Sequence, residues 1–333
     1  MPAVLYPEVR YPDDAVERAA FGPGVEVRMR NLASLADLPP HDAEDVVGLM
    51  IMRHTVTGAD MDRMPALKTI VRMGVGYDKL DRKAAAARGI TICNVPDYGT
   101  MEVADHALAL TLALRRGIVL YHETQRDTPR AGWKPIETPL IRRLDVQTFG
   151  VLGLGRIGTA AALRARAFGF KVVFFDPYRP NGADRALGVE RVRSLEALLQ
   201  RSDVLSIHTP LTPETRGMIG AKELTLLPKG AILINTARGP IVDIDALEGA
   251  LRSGGLAGAG LDVIPVEPIA EPAPKLVAAY HAREKWLQGR LIITPHAAFH
   301  DPESWYDIRV KSAETMAAAL SGKPQNVIGP DDF

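Results

Sequence analysis

The sequence holds a single cysteine, Cys93, so no disulfide can form within the chain. No Cys/His cluster has zinc-site spacing, and no metal is expected. Net charge is lacking too: 40 Lys and Arg balance 40 Asp and Glu. A chain without a basic excess does not hold nucleic acid mainly by charge, although a small anion needs only local positive groups. No apolar run is long enough to span a bilayer. No basic segment followed by an apolar core opens the sequence, and Glu8, Asp13 and Asp14 arrive early, so no secretory leader is expected. These absences fit a reducing cytoplasm, with neither nucleic acid nor membrane as partner.

What is present is an ordinary globular composition, 47% apolar and 24% charged, over 333 residues, a length suited to two domains. In the first third, short apolar runs at 25–28, 46–52, 69–73 and 90–95 read as strands. Helical stretches at 13–21, 59–64 and 78–88 lie between them. The run 46–52 is continuously apolar, as a strand buried on both faces requires. Alternating strands and helices predict a parallel sheet covered by helices, here a small flavodoxin-like unit. A long helix is expected over 101–121, with Glu102 near its start and Arg115 and Arg116 near its end complementing the helix dipole. An irregular stretch follows at 124–144, with Trp133 and three prolines; it is either an arm toward a second subunit or a surface loop. The alternation then resumes, with strands expected at 148–153, 171–176, 204–209, 231–237, 257–263 and 291–294. Ser194 and Asp243 are plausible N-caps of helices at 194–201 and 243–253. A last helix at 304–320 could return to pack on the first domain.

The most informative run is residues 151–158, Val-Leu-Gly-Leu-Gly-Arg-Ile-Gly. Gly153, Gly155 and Gly158 match the dinucleotide fingerprint, between a strand and a helix and ahead of a second strand ending on Asp176. Gly153 permits the turn, Gly155 the approach of a pyrophosphate, and Gly158 close packing of helix on sheet. N–H groups near Arg156 and Ile157 would face the phosphates. Asp176 would accept the adenosine ribose hydroxyls and repel a 2′-phosphate, favouring NAD over NADP, with Arg179 a nearby counter-signal.

Ligands of open α/β sheets bind at the carboxyl ends of strands, which singles out Asp176, His208, Thr209, Arg238, Asp262 and His296. His296 follows Pro295 at a strand-to-loop transition and can exchange a proton near neutral pH. Glu267 beside it would fix the ring tautomer and favour the protonated form, a proton donor for a carbonyl oxygen. Arg238, just past a buried strand and before Gly239-Pro240, suits a bidentate carboxylate contact. The second glycine turn, at 74–76, offers the Val75 and Gly76 amides to a carboxylate, with Arg72 assisting. Each has a plainer reading: a structural histidine, a solvated loop acid, a structural ion pair, a tight turn without ligand.

Assembled, these motifs resemble the D-isomer-specific 2-hydroxyacid dehydrogenase family over nearly the whole chain. The matching runs include Val-Gly-Tyr-Asp at 75–78, Val-Ala-Asp-His at 103–106 and Gly-Leu-Gly-Arg-Ile-Gly at 153–158. His-Thr-Pro-Leu-Thr at 208–212, Asn-Thr-Ala-Arg-Gly at 235–239, Leu-Asp-Val at 261–263 and Thr-Pro-His-Ala at 294–297 continue the pattern. Arg72, Asp176-Pro-Tyr178 and Pro-His-Ala-Ala at 295–298 look most like the C-terminal-binding-protein branch, although Phe299 stands where that branch has Trp. The span of 29 positions from Glu267 to His296 is another departure, holding what looks like an added helix at 275–288.

The resemblance implies two Rossmann-like or flavodoxin-like α/β domains, the nucleotide domain at 96–307 inserted into a substrate domain made of 1–95 and 308–333. It implies an NAD-dependent oxidoreductase of D-2-hydroxy acids, reducing small 2-keto acids. His296 would be the acid/base, Glu267 its partner, and Arg238 the group that orients the substrate. Arg72, Val75, Gly76 and Phe299 would meet the substrate. Val103, Thr209, Pro210, Thr236, Ala237 and Asp262 would join the glycine loop in holding the cofactor, with Asp262 near the nicotinamide carboxamide. The family also implies a homodimer. The competing expectation is a nucleotide-sensing corepressor-like binding protein with no significant turnover; a phosphorylated substrate would need more positive charge than Arg72 and Arg238 supply.

Overall fold

A computed structural model describes residues 1–331 and divides them into two compact units. One joins 1–99 to the C-terminal residues from 300 onward; the other is the continuous segment 100–299. The sequence reading draws the boundaries at 95/96 and 307/308. The second lies earlier because helix Pro302–Leu320 is unbroken and packs along its length within the first unit.

The first unit is built on β1 (Ala3–Tyr6), β2 (Glu26–Met29), β3 (Val46–Ile51), β4 (Thr69–Arg72) and β5 (Thr91–Asn94). Its all-parallel order, β2-β1-β3-β4-β5, is that of a flavodoxin-like sheet. β1 has no polar residue and is fully buried; the sequence reading omits it because four apolar residues at a chain start carry no period. Helix Pro302–Leu320 packs on helix Ala15–Phe21 and on the sheet, and Val327 bridges antiparallel to Cys93 beyond it.

The second unit has β6 (Thr148–Leu152), β7 (Lys171–Phe175), β8 (Glu190–Arg191), β9 (Val204–Ile207), β10 (Ala231–Asn235), β11 (Leu256–Leu261) and β12 (Leu291–Ile293). Their order is β12-β11-β10-β9-β6-β7-β8, every pair parallel, the doubly wound Rossmann arrangement. Its strand order reverses between β6 and β9, the point at whose carboxyl ends doubly wound sheets bind their ligands. β9 and β10 are buried at every position, as the continuous apolar runs require.

Two helix expectations are corrected. The single helix over 101–121 is two, Thr100–Arg115 and Ile118–Asp127, because Gly117 takes a left-handed φ of 63°. Arg115 is not a surface partner of the helix dipole. It is fully buried, and its guanidinium donates to the carbonyls of Gly230 (3.1 Å) and Asp203 (2.5 Å), tying the helix end to the strand starts. The stretch at 275–288 is helix Lys275–His281 and a 3-10 turn, Lys285–Leu287; Leu276, Val277 and Leu287 are buried in the unit's core. No helix among the described residues is long and apolar enough to cross a membrane.

Candidate active site

Strand register lines up the site. Leu152 pairs with Phe175 on one side and Ile207 on the other; Ile207 is level with Asn235, Asn235 with Leu261, and Leu261 with Ile293. The next residue of each strand is therefore Gly153, Asp176, His208, Thr236, Asp262 or Thr294. Six consecutive strand ends thus present their first loop residues along one edge of the sheet.

At the β6 end, Gly153 has φ +90°, and a Cβ there would meet Thr209 Cγ2 at 2.8 Å. A Cβ on Gly158 would fall 2.0 Å from the Gly153 carbonyl oxygen. Helix Arg156–Ala167 is thereby pressed onto its own entry turn. A Cβ on Gly155, in contrast, meets nothing within 4 Å. The open space lies at the helix N-terminus, which no side chain caps. An uncapped N-terminus with room for a backbone approach is what a pyrophosphate needs.

Other features fit a dinucleotide. The hydroxyls of Thr209 and Thr236 are buried with no partner among the described residues. Half-buried Asp176 accepts from the Leu154 N–H (2.8 Å) and the Tyr178 N–H (2.9 Å), one bond to each oxygen, so both oxygens keep room for ribose hydroxyls. Arg179 donates its Nε to the Leu154 carbonyl. His208 hydrogen-bonds Ser206 Oγ at 2.8 Å, and burial pushes its imidazole down to about 4, a neutral ring under the glycine loop. Val103 lies half-buried in the first turn of helix Thr100–Arg115, and Pro210 is exposed in the loop after Thr209.

Arg238 stands where β10 gives way to a tight 3-10 turn, Gly239–Ile241. The loop is shaped from below by Asn235, buried to 1% exposure, whose side chain accepts the Ala237 N–H and donates to the Arg238 carbonyl, both at 3.0 Å. A Cβ on Gly239 would lie 2.0 Å from Ile264 C and O. The Arg238 loop is therefore packed directly against the backbone that leads to Glu267. Glu267 Oε1 accepts the Ile264 N–H at 3.0 Å, and Oε2 meets His296 Nδ1 at 2.6 Å. Burial alone would raise the Glu267 carboxyl; the hydrogen bond from His296 and its charge, helped by Arg238, bring it below the ordinary value. With Nδ1 engaged, Nε2 of His296 is the nitrogen left to face a reacting oxygen.

His296 adopts φ +54°, a left-handed backbone uncommon for a residue with a Cβ. Asp262 holds it there. The Asp262 carbonyl accepts the His296 N–H at 2.8 Å, and its carboxylate accepts the Ala297 and Ala298 N–H groups at 2.9 and 3.0 Å. Thr294 Oγ1 donates to the same carboxylate at 2.6 Å, and His106 Nε2 meets that hydroxyl at 3.0 Å. The sequence reading gives no role to Asn235, Thr294 or His106. Their signal was available only as membership of the runs at 103–106, 235–239 and 294–297.

The remaining candidates belong to the first unit, except Phe299, which is half-buried at the end of the second. Val75 and Gly76 are half-buried after β4, and no described residue accepts from their N–H groups. Arg72 ends β4 and donates to the Met73 carbonyl. No group of His, Cys, Asp and Glu among the described residues could hold a metal ion.

Residues 108–298 match the family model described as "D-isomer specific 2-hydroxyacid dehydrogenase, NAD binding domain". The chain belongs to the D-isomer-specific 2-hydroxyacid dehydrogenase family. It is 38% identical over 271 residues to a glyoxylate reductase of Korarchaeum cryptofilum, covering 80% of this chain and 77% of the relative. The NADPH-dependent glyoxylate/hydroxypyruvate reductase of Sinorhizobium meliloti, solved with NADP and malonate, superposes with a TM-score of 0.84 at 30% identity, over 100% of this chain and 98% of that one. The D-lactate dehydrogenase of Aquifex aeolicus, solved with NAD and lactic acid, gives 0.82 at 28% identity over 97% and 96%. The protein is thus an oxidoreductase of the kind that acts on CH–OH groups, with an NAD-binding Rossmann domain.

Proposed function

We propose that this family member is an NADH-dependent reductase of small 2-keto acids, of the size of glyoxylate or hydroxypyruvate. The His296–Glu267 pair, at 2.6 Å, with the Arg238 loop packed on the Ile264 backbone that leads to Glu267, carries the reading. When bound, the nicotinamide supplies the hydride for the carbonyl carbon. His296 gives its Nε2 proton to the carbonyl oxygen, while Glu267 holds the ring through Nδ1. Arg238 orients the carboxylate and the keto oxygen. To Arg72, Val75, Gly76 and Phe299 we assign contacts with the substrate, the two unpaired amides suiting a carboxylate.

Asp176 supports NADH over NADPH, since a carboxylate there repels a 2′-phosphate and Arg179 is turned onto the Leu154 carbonyl. Kinship with the C-terminal-binding-protein branch is a narrower proposal resting on Arg72, Asp176-Pro-Tyr178 and the run 295–298. A homodimer, formed through the second unit, is supported by the exposed apolar side chains of Ile118 and Trp133, the latter 82% accessible. The composition suits a cytoplasmic protein. The test is NADH consumption with glyoxylate, hydroxypyruvate, phenylpyruvate and 4-methylthio-2-oxobutyrate. Tight NADH binding without turnover on any of them contradicts the reading and leaves the corepressor-like alternative.

A further inference from the structure

A hydrogen-bond chain runs from helix Thr100–Arg115 to the candidate acid/base. It begins at His106 Nε2, passes through Thr294 Oγ1 at 3.0 Å, and reaches Asp262 Oδ1 at 2.6 Å. The Asp262 side chain is 1% exposed, and its carboxylate takes its hydrogen bonds from protein donors. Both its carboxylate oxygens point at the loop that carries His296, through the Ala297 and Ala298 N–H groups.

The proton inventory gives the chain a direction. A carboxylate only accepts, so the single hydroxyl proton of Thr294 goes to Asp262. The hydroxyl can then only accept from His106, which fixes the proton of that ring on Nε2. His106 thus orients a hydroxyl, the hydroxyl helps saturate a buried carboxylate, and the carboxylate holds a left-handed histidine. A non-glycine residue at φ +54° is strained and persists only where its surroundings over-determine it.

We propose that His106 and Thr294 are positioning residues for His296, acting through Asp262 and touching neither substrate nor cofactor. The proposal rests on the reductase reading only for its kinetic test. Remove the Thr294 hydroxyl, and Asp262 loses its shortest donor while His106 Nε2–H loses its acceptor. The loop at 296–298 then relaxes, and His296 leaves the position from which Nδ1 reaches Glu267. A misplacement of this kind costs about a hundredfold in rate or less when the reacting groups are off by an ångström.

The test compares Thr294→Val, which keeps shape and loses the hydroxyl, with Thr294→Ser. It also compares His106→Phe with His106→Gln, which keeps an N–H donor. The first of each pair is expected to lower kcat by about tenfold to a hundredfold. KM for the keto acid and the NADH Kd stay close to wild type, and the conservative partner restores most of the rate. Independently of turnover, the hydrogen-bonded Nδ1 proton of His296, observed by NMR in substrate-free protein, is expected to weaken in Thr294→Val and to persist in Thr294→Ser. Unchanged kcat with the Nδ1 proton intact overturns the proposal. So does a loss seen equally in NADH affinity, which would make the chain a cofactor device. Should the wild type reduce no keto acid, the reductase reading fails, and the NMR comparison still decides the positioning claim. His106→Phe, at a half-exposed site, serves if Thr294→Val does not fold.

Discussion

Glu267 and His296 lie 29 positions apart in the chain and meet at 2.6 Å, carboxylate to Nδ1. Both are held from the end of β11: Glu267 by the Ile264 N–H, and His296, in the loop after β12, by the Asp262 carbonyl. The insertion between them packs into the core beside these strands and leaves the pair free to form. The pair makes Glu267→Gln the most specific single test of proton donation. It keeps a hydrogen-bonding side chain and removes the carboxylate charge beside Nδ1 of His296. The expected loss is about a hundredfold in kcat, with NADH affinity retained, read from steady-state rates and from a fluorescence titration.

Gly155 and Gly158 separate binding from folding. Space around Gly155 is open, and its φ of −73° suits any residue, so Gly155→Ala should fold and melt as the wild type does. Its methyl group enters the space assigned to the pyrophosphate, and NADH affinity should fall by at least about tenfold, or 1.4 kcal/mol. Gly158→Ala places a carbon 2.0 Å from a carbonyl oxygen and should lose thermal stability as well as binding. Calorimetry and NADH titration on both variants check the contrast; equal melting temperatures contradict it.

Gly239 joins the two halves of the chemical site. A methyl group there lies 2.0 Å from the Ile264 carbonyl, so Gly239→Ala must part the Arg238 loop from the segment leading to Glu267. A loss of kcat/KM of about a hundredfold is expected, mostly in the rate constant. A rise in KM alone would show that only carboxylate binding was touched.

His208 gives the nucleotide-binding unit an acid dependence. Its folded value, about 4, lies below the ordinary 6.5 because burial disfavours the charged ring. Above 6.5 both folded and unfolded forms are neutral and the unit has its full stability. As pH falls from 6.5 toward 4, the unfolded chain takes up a proton that the folded one refuses, and stability declines. His208→Gln should flatten that part of the profile of melting temperature against pH. An unchanged slope would assign the decline to other groups.

The architecture was legible because its signals are local and repeated: continuous apolar strands, glycine turns, and the acid that ends β7. Asp176, Glu267 and His296 could be picked out because each is a polar residue following an apolar run. The roles of Thr294, Asn235 and His106 were not legible, because they depend on which strand ends are level. That register, 207 beside 235 beside 261 beside 293, is a property of the assembled sheet. The burial of Arg115 is hidden from the sequence for a similar reason. An arginine at a helix end looks solvated until the carbonyls of Gly230 and Asp203, far along the chain, arrive around it.

Cys93 tests the packing of the first unit. It is fully buried on β5, and burial pushes its thiol up to about 11. A disulfide reagent at mildly alkaline pH should therefore leave it untouched in native protein and modify it fully after denaturation. Rapid labelling of the native form would contradict the packing of Cys93 between the sheet and the C-terminal helix.

In the proposed reaction His296, backed by Glu267, protonates a keto acid reduced by NADH, and that role can be isolated in one comparison. It is tested most directly by stopped-flow NADH oxidation with glyoxylate and hydroxypyruvate, comparing wild type with His296→Ala. The wild type is expected to turn over, while His296→Ala binds NADH with unchanged affinity and loses reduction by about a thousandfold. Turnover by His296→Ala within a few-fold of the wild type would contradict it.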